Sequence, residues 1–115
     1  LDELTICDRT KVSEGRAGVV SNYFVAPEEF DLPRVHKKEI AGGTPDVNAR
    51  IAKEILQGQK GPKRDIVCLN AAAAIVAGQK ARTLKDGLRI AQQALDSGAA
   101  AEKLDRLVAW TQKVM

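Results

Sequence analysis

The feature that most constrains the fold is a nearly unbroken apolar run at residues 65–78, DIVCLNAAAAIVAG. After Asp65 only Asn70 interrupts it, and its fourteen residues are too few to cross a bilayer, so the run predicts a buried helix. Pro62 suits the first helical turn, and Gly78 suits a left-handed residue just past the last turn. The four small alanines allow neighbouring elements to approach closely, so we expect other structure to surround this helix.

The composition limits the class of protein. The 115 residues correspond to one domain or a piece of one, and 44% hydrophobic residues can form a core that is poor in aromatic side chains. The net charge of +3 is small and the two signs alternate along the chain, which disfavours nucleic-acid or membrane binding. Cys7 and Cys68 lack metal-ligand spacing, so we expect two reduced thiols in a cytoplasmic protein. No targeting or membrane-spanning segment is recognised.

Residues 1–43 are predicted to form strands, a hairpin and short turns. Residues 4–7 are compatible with a short strand, and residues 10–14 and 19–25 carry β-branched and aromatic residues on either side of Gly15-Arg16-Ala17-Gly18, a hairpin signal. Single helical turns are expected at residues 27–30 and 37–40. Two or three strands are too few for a stable sheet, so we expect them to complete a sheet whose other strands lie elsewhere.

Residues 44–115 are predicted to form four helices. Thr44 is a good N-cap for the first, which should end before Gly58. The apolar run forms the second, and Thr83 with Asp86 resembles a capping box at the start of the third. The fourth covers about residues 99–113, with Ala101, Leu104, Leu107, Val108 and Trp110 as its apolar residues. The segment should therefore be mainly helical with a few strands.

Asp2 and Glu3 are the first candidates for chemistry. Two neighbouring carboxylates on irregular backbone can both reach Mg²⁺, which accepts one or two carboxylates and fills its other positions with water and phosphate oxygens. The alternative from spacing alone is a pair of solvated acids. The residues themselves leave both possibilities open.

Other candidates have simpler interpretations. The sequence Gly42-Gly43-Thr44-Pro45 lacks the lysine and flanking glycines of a phosphate-binding loop, and a turn followed by an N-cap explains it. His36 is the only histidine and has no evident Ser or Cys partner, so a catalytic triad or zinc site is not expected.

Charged and polar residues of the second helix need partners. Lys60, Lys63 and Arg64 oppose the helix dipole, so either acidic side chains or an anionic ligand must compensate them. Asn70 should form hydrogen bonds, most simply with the backbone of a neighbouring element.

Several ordered segments together resemble the C-terminal part of the anthranilate phosphoribosyltransferases. The most specific is residues 58–78, which includes GQKGPKRD and LNAAAA. The others are LDELT at residues 1–5, TKV at 10–12, GG at 42–43 with Pro45 and Asn48-Ala49, and ALDSGAA at 94–100. The resemblance covers essentially the whole chain.

The resemblance implies a function and a site. This family transfers phosphoribose from phosphoribosyl pyrophosphate to anthranilate in tryptophan biosynthesis, depends on Mg²⁺ and usually forms a homodimer. Its fold pairs a small helical domain with a larger α/β domain. Asp2 and Glu3 match the family's Asp-Glu pair, which helps to hold the Mg²⁺ of the pyrophosphate, and no catalytic residue is assigned within the chain.

The chain also departs from the family. The pyrophosphate loop Gly-Thr-Gly-Gly-Asp and the motif Lys-His-Gly-Asn-Arg do not occur in it, and it begins without Met. We therefore expect roughly the last third of the enzyme, inactive alone, with the N-terminal portion of the same enzyme as its partner. The alternatives are a pyrimidine nucleoside phosphorylase and a non-catalytic relative that binds nucleic acid. The nucleic-acid candidates are basic: Lys60, Lys63, Arg64, Lys80, Arg82, Lys85 and Arg89.

Overall fold

The computed structural model describes residues 3–114, a mainly helical segment with one antiparallel hairpin, as the sequence predicts. Short 3-10 helices lie at Pro27–Phe30 and Lys37–Ile40, where single helical turns were expected. The remaining elements in chain order are β1 (Thr10–Arg16), β2 (Val19–Val25), α1 (Pro45–Leu56), α2 (Pro62–Ala77), α3 (Leu84–Asp96) and α4 (Ala99–Val114).

The hairpin turns at Ala17 and Gly18. Both residues have positive φ, 52° and 79°, as a two-residue turn requires to match the twist of the strands. Strand pairing runs from Thr10 opposite Val25 to Arg16 opposite Val19. The hairpin is therefore confirmed, with Gly15 and Arg16 in β1 rather than in the turn.

Residues 4–7 do not form the strand that the sequence suggested. Within residues 3–114 the only sheet is the pair β1–β2. Leu4 and Ile6 are buried, so the apolar character was interpreted correctly, but their backbone groups pair with side chains and a loop instead of a strand.

Local capping explains the helix boundaries. Thr83 Oγ1 accepts a hydrogen bond from Asp86 N–H at 3.1 Å, and Gly58 and Gly98 follow α1 and α3 with φ of 93° and 84°. One expectation was wrong: Gly78 has φ −78°, and Gln79 takes the left-handed conformation with φ 63°. None of the helices in residues 3–114 has the length and apolarity for a membrane crossing.

The core is built around α2 and α3 and extends to buried residues of α1, β2 and the loops of residues 4–32. Gly87 of α3 packs on the backbone of Ala72 so tightly that a Cβ at Gly87 would lie 2.7 Å from the Ala72 carbonyl oxygen. The alanine run thus allows a close approach of the two helices, as predicted. The buried apolar residues are Leu4, Ile6, Val25, Phe30, Leu32, Ile55, Cys68, Leu69, Ala72, Leu88, Ala91 and Leu95.

The described residues surround α2 only in part. Val67 on α2 is 45% exposed. Of the apolar residues predicted for α4, Leu107, Val108 and Trp110 are exposed, and α4, which lies wholly within the described residues, has no buried side chain. The expectation of a fully enclosed helix is therefore met only in part, by α3 and by the segment at Leu4.

Candidate functional site

Glu3 is the described member of the predicted metal-binding pair. Asp2 lies outside the described residues. Glu3 is exposed and lines an open groove between residues 3–12, the hairpin and the α2–α3 connection. The groove encloses about 2010 Å³, well above the roughly 300–1,000 Å³ of a small-molecule pocket, so it is an open face of the molecule. Charges of both signs line it, among them Lys11, Glu14, Arg16, Arg82 and Lys85.

The donor chemistry at Glu3 suits a hard cation. Within residues 3–114 no group of three or more His, Cys, Asp or Glu side chains is placed to hold a metal ion. Mg²⁺ does not require such a group, because it keeps several waters and needs only one or two protein carboxylates beside phosphate oxygens. An exposed carboxylate facing an open groove therefore fits Mg²⁺ that arrives with a phosphorylated ligand.

Asn70 fixes the backbone next to Glu3. Leu4 N–H donates to Asn70 Oδ1 at 2.9 Å, and Asn70 Nδ2 donates to the Leu4 carbonyl at 2.9 Å. These two bonds give Leu4 the partners that a neighbouring strand would otherwise supply. The predicted hydrogen bonding of Asn70 to a neighbouring backbone is confirmed, and the partner is the residue that follows Glu3.

Further contacts fix the rest of this segment. Thr5 N–H donates to Thr10 Oγ1 at 3.1 Å, where β1 begins, and Val35 N–H donates to the Ile6 carbonyl at 3.2 Å. Ile6 is fully buried and Leu4 is nearly so. Backbone pairing and burial together hold residues 4–6 against α2, β1 and the loop at Val35.

Arg64 is buried and paired within the fold. Its two terminal nitrogens donate to both carboxylate oxygens of Asp96, at 2.8 and 3.1 Å, and one also donates to the Gly58 carbonyl at 3.3 Å. Hydrogen bonds from Arg64 hold the pKa of Asp96 below its ordinary value, and the charge of Lys60 adds to this. Of the two explanations for the basic cluster, the structure supports a salt bridge for Arg64.

The start of α2 contains a second perturbed carboxylate. Burial raises the pKa of Asp65, and the charge of Arg64 offsets that effect only in part. Burial also raises the pKa of the Cys68 thiol, which makes it a poor nucleophile. Cys7 and Cys68 are both free cysteines, as expected.

The remaining candidates have structural roles. Thr44 caps α1 through Val47 N–H at 3.4 Å, and the Asn48 amide exchanges two hydrogen bonds with the Gly43 backbone at 2.8 and 3.1 Å. His36 is exposed, and its Nδ1 accepts from Lys38 N–H at 3.2 Å at the start of a 3-10 helix. The glycine pair is thus a turn before a capped helix, as predicted.

Two of the seven basic candidates for nucleic-acid binding are paired within the fold. Arg64 is buried against Asp96, and Arg89 pairs with Asp86 at 2.8 Å. Both are therefore committed to ion pairs within α2 and α3. These pairings weaken the nucleic-acid alternative.

Sequence reasoning missed several partners. The bond between Tyr23 Oη and Glu14 Oε1 at 2.7 Å links the two strands, lowers the pKa of Glu14 and raises that of Tyr23. Arg34 pairs with Glu28 and Asp8, which ties the base of the hairpin to the following loop. Alternation along each strand places Glu14 and Tyr23 on one face, but the register that joins them was not evident from the sequence.

Comparison with known proteins gives consistent matches. A family model described as "Glycosyl transferase family, a/b domain" matches residues 1–101. The chain is 44% identical over 111 residues to an anthranilate phosphoribosyltransferase of Methanobrevibacter smithii and 45% identical over 114 residues to one of Symbiobacterium thermophilum. These matches cover 96% and 99% of the chain and 33% of each relative. The chain therefore spans about a third of the length of the curated relatives it matches.

Solved structures match the fold. The anthranilate phosphoribosyltransferase of Thermus thermophilus superposes with a TM-score of 0.89 at 36% identity, over 97% of this chain and 33% of that one. The Saccharomyces cerevisiae enzyme in complex with 4-fluoroanthranilate gives 0.81 at 27% identity, over 91% and 31%. A variant of the yeast enzyme with Mg bound gives 0.80 over the same shares. The arrangement of hairpin and helices is therefore shared with these proteins.

Proposed function

The chain belongs to the glycosyl transferase family whose a/b domain it matches, and on this premise we propose that it forms part of an anthranilate phosphoribosyltransferase. The complete enzyme would transfer phosphoribose from phosphoribosyl pyrophosphate to anthranilate, a step of tryptophan biosynthesis. The observation that carries the proposal is the match of nearly the whole chain to curated enzymes of this activity at 41% identity or more.

Within that enzyme, residues 1–43 would supply the hairpin and the metal-binding end, and residues 44–115 the four helices of the C-terminal part of the α/β domain. The hairpin leaves Val19, Val20 and Phe24 exposed, which fits a position beside other strands of a larger sheet. The N-terminal portion of the enzyme is the proposed partner. We further propose a homodimer in the cytoplasm.

The carboxylates of Asp2 and Glu3 would hold Mg²⁺ together with the pyrophosphate of the substrate. When bound, Mg²⁺ neutralises negative charge on the departing pyrophosphate while the ribose carbon gains positive charge. Glu3 is suited to this role because its carboxylate is exposed at the groove and the backbone that follows it is fixed. The pyrophosphate loop and the anthranilate contacts would come from the rest of the enzyme.

Activity of a chimera tests the proposal. Residues 1–115 replace the matching third of the Methanobrevibacter smithii enzyme, and formation of phosphoribosylanthranilate is measured against Mg²⁺ concentration. We expect Mg²⁺-dependent turnover from the chimera and none from the 115-residue chain alone. An inactive chimera that folds, or clear turnover by the isolated chain, contradicts the proposal.

The candidate metal ligands are tested in the same chimera. Replacing both Asp2 and Glu3 by Ala should lower kcat/KM by a factor of about 100 or more, because the charge on the departing pyrophosphate then lacks its counter-ion. Asp105→Ala, at an exposed acid of α4 outside the groove, is the control and should change little. Phosphorolysis of thymidine by the chimera, in place of anthranilate transfer, would support the nucleoside phosphorylase alternative.

A further inference from the structure

The amide of Asn70 uses both of its donors, and its oxygen accepts one hydrogen bond. Its oxygen accepts from Leu4 N–H, and its nitrogen donates both to the Leu4 carbonyl and to the Ile66 carbonyl one turn earlier in α2, each at 2.9 Å. Exchanging the oxygen and nitrogen positions would set the NH₂ against Leu4 N–H and the oxygen against two carbonyls. The orientation of the amide is therefore determined by its partners.

Buried residues of α2 lie on either side of Asn70 in the sequence. Cys68 and Leu69 are 1% exposed and Ala72 is fully buried. An amide in such an apolar helix needs hydrogen-bond partners, and an apolar residue of similar size would pack there without that requirement. Packing alone therefore does not explain an asparagine at this position.

The partner of Asn70 is the residue that follows the candidate metal ligands. Residues 66 positions apart are joined by two hydrogen bonds, and the Cα of Glu3 lies one peptide unit, about 3.8 Å, from that of Leu4. The origin of the Glu3 side chain is therefore fixed relative to the core, whereas its carboxylate stays exposed to the groove.

We propose that Asn70 is a positioning residue, which bonds to the N–H and the carbonyl of Leu4 and thereby presents the Glu3 carboxylate, the described member of the Asp2-Glu3 pair, to a divalent cation. This inference rests on the proposed function of that pair. Groups that orient metal ligands from behind commonly change metal affinity 10- to 100-fold when they are removed. Asn70 would act in this way through the backbone instead of through a side-chain ligand.

The direct test measures metal binding by the 115-residue chain. Mn²⁺ is titrated with inorganic pyrophosphate present, and the broadening of backbone amide NMR signals next to Glu3 is recorded. Asn70→Leu keeps the size of the side chain and removes all three hydrogen bonds. The variant should therefore need about ten times more Mn²⁺ than the unsubstituted chain to reach the same broadening. Asp96→Asn is the matched control, because it weakens a polar contact in the first turn of α2, away from Leu4, and should leave Mn²⁺ binding unchanged.

Two further measurements keep the test decisive if Asn70→Leu folds poorly. In the unsubstituted chain, the Leu4 amide should exchange with solvent hydrogen as slowly as core helix amides, although it belongs to no strand. In the active chimera, Asn70→Asp retains the acceptor for Leu4 N–H and loses both donors. It should raise the half-saturating Mg²⁺ concentration severalfold with the KM for anthranilate unchanged.

The outcomes separate the two proposals. Mn²⁺ broadening next to Glu3 that persists equally in the Asn70 variants would overturn the positioning role and leave the metal site intact. Absence of broadening in the unsubstituted chain and of Mg²⁺ dependence in the chimera would overturn the metal site and the positioning role together. A loss of Mn²⁺ affinity of equal size in Asp96→Asn would assign the effect to general destabilisation and also overturn the positioning role.

Discussion

The α2–α3 pair and the hairpin differ in how much of their apolar surface is buried by other residues of the described part of the chain. Between α2 and α3, small residues permit close contact, Leu69 and Leu88 are buried, and the buried Arg64 has a bidentate partner in Asp96. The hairpin has Val19, Val20 and Phe24 more than half exposed, and α4 resembles it, with Trp110 62% exposed. The contact between α2 and α3 is thus complete within residues 3–114, whereas the hairpin and α4 present apolar surface suited to a partner.

The largest loss of stability is expected when a buried leucine of α2 is replaced by alanine, and the same substitution in α4 should cost little. Leu69→Ala should lower the free energy of unfolding by about 3 kcal/mol, because it leaves a cavity where the side chain is 1% exposed. Leu107→Ala in α4, where the side chain is 55% exposed, is the matched control and should change it by less than about 0.5 kcal/mol. Urea unfolding followed by circular dichroism measures both. Similar losses would show that α4 is as firmly packed as α2.

The next effect concerns the close contact of α2 with α3. Gly87→Ala should lower the free energy of unfolding by about 1–3 kcal/mol, because the new Cβ would meet the Ala72 carbonyl at 2.7 Å and backbone cannot move aside cheaply. On an exposed helix the same change would stabilise by roughly 1 kcal/mol. The sign of the change in unfolding free energy therefore tells whether Gly87 is in close contact.

Gly15→Ala is the control in the hairpin. Nothing lies within 4 Å of a Cβ at Gly15, so its effect should stay within about 0.5 kcal/mol. Thermal unfolding of Gly87→Ala and Gly15→Ala, measured in parallel, compares their stabilities. A Gly87→Ala variant as stable as the parent chain would contradict the tight contact.

A smaller effect concerns pH. The pKa of Asp96 is lower in the folded than in the unfolded chain, so its ion pair stabilises the fold above the unfolded pKa, and that contribution is lost as the pH falls through the folded pKa. Asp96→Asn cannot ionise. Its stability should therefore decrease less than that of the parent chain between about pH 5 and pH 2.

Glu14→Gln is the corresponding change in the hairpin. The Tyr23 hydroxyl lowers the pKa of Glu14, so this carboxylate also loses its contribution in acid. We expect a smaller change in the pH dependence than for Asp96→Asn, because Tyr23 is only partly buried whereas Arg64 is buried. Urea unfolding at several pH values measures both variants. A larger change in pH dependence for Glu14→Gln than for Asp96→Asn would contradict this prediction.

The sequence identified most residues of the candidate site, but it did not reveal how they contact one another. Asp2-Glu3 suggested a metal, and Asn70 suggested a buried hydrogen bond, but their connection through Leu4 spans 66 positions. Arg64 and Asp96 are 32 positions apart, and no spacing rule relates them. The strand expected at residues 4–7 was wrong for the same reason, because an amide on α2 provides the hydrogen bonds that a strand would have provided.

Elements whose causes lie within about four residues could be predicted from the sequence alone. The Thr44 and Thr83 caps, the glycines after α1 and α3, and the turn at Ala17-Gly18 all act through neighbouring backbone groups, so spacing alone reveals them. Which helix meets which segment is visible only in the folded chain: Gly87 packs against Ala72, Arg64 pairs with Asp96, and Asn70 bonds to Leu4. These contacts depend on the path of the whole chain, because each is favourable only after burial has brought the two residues together.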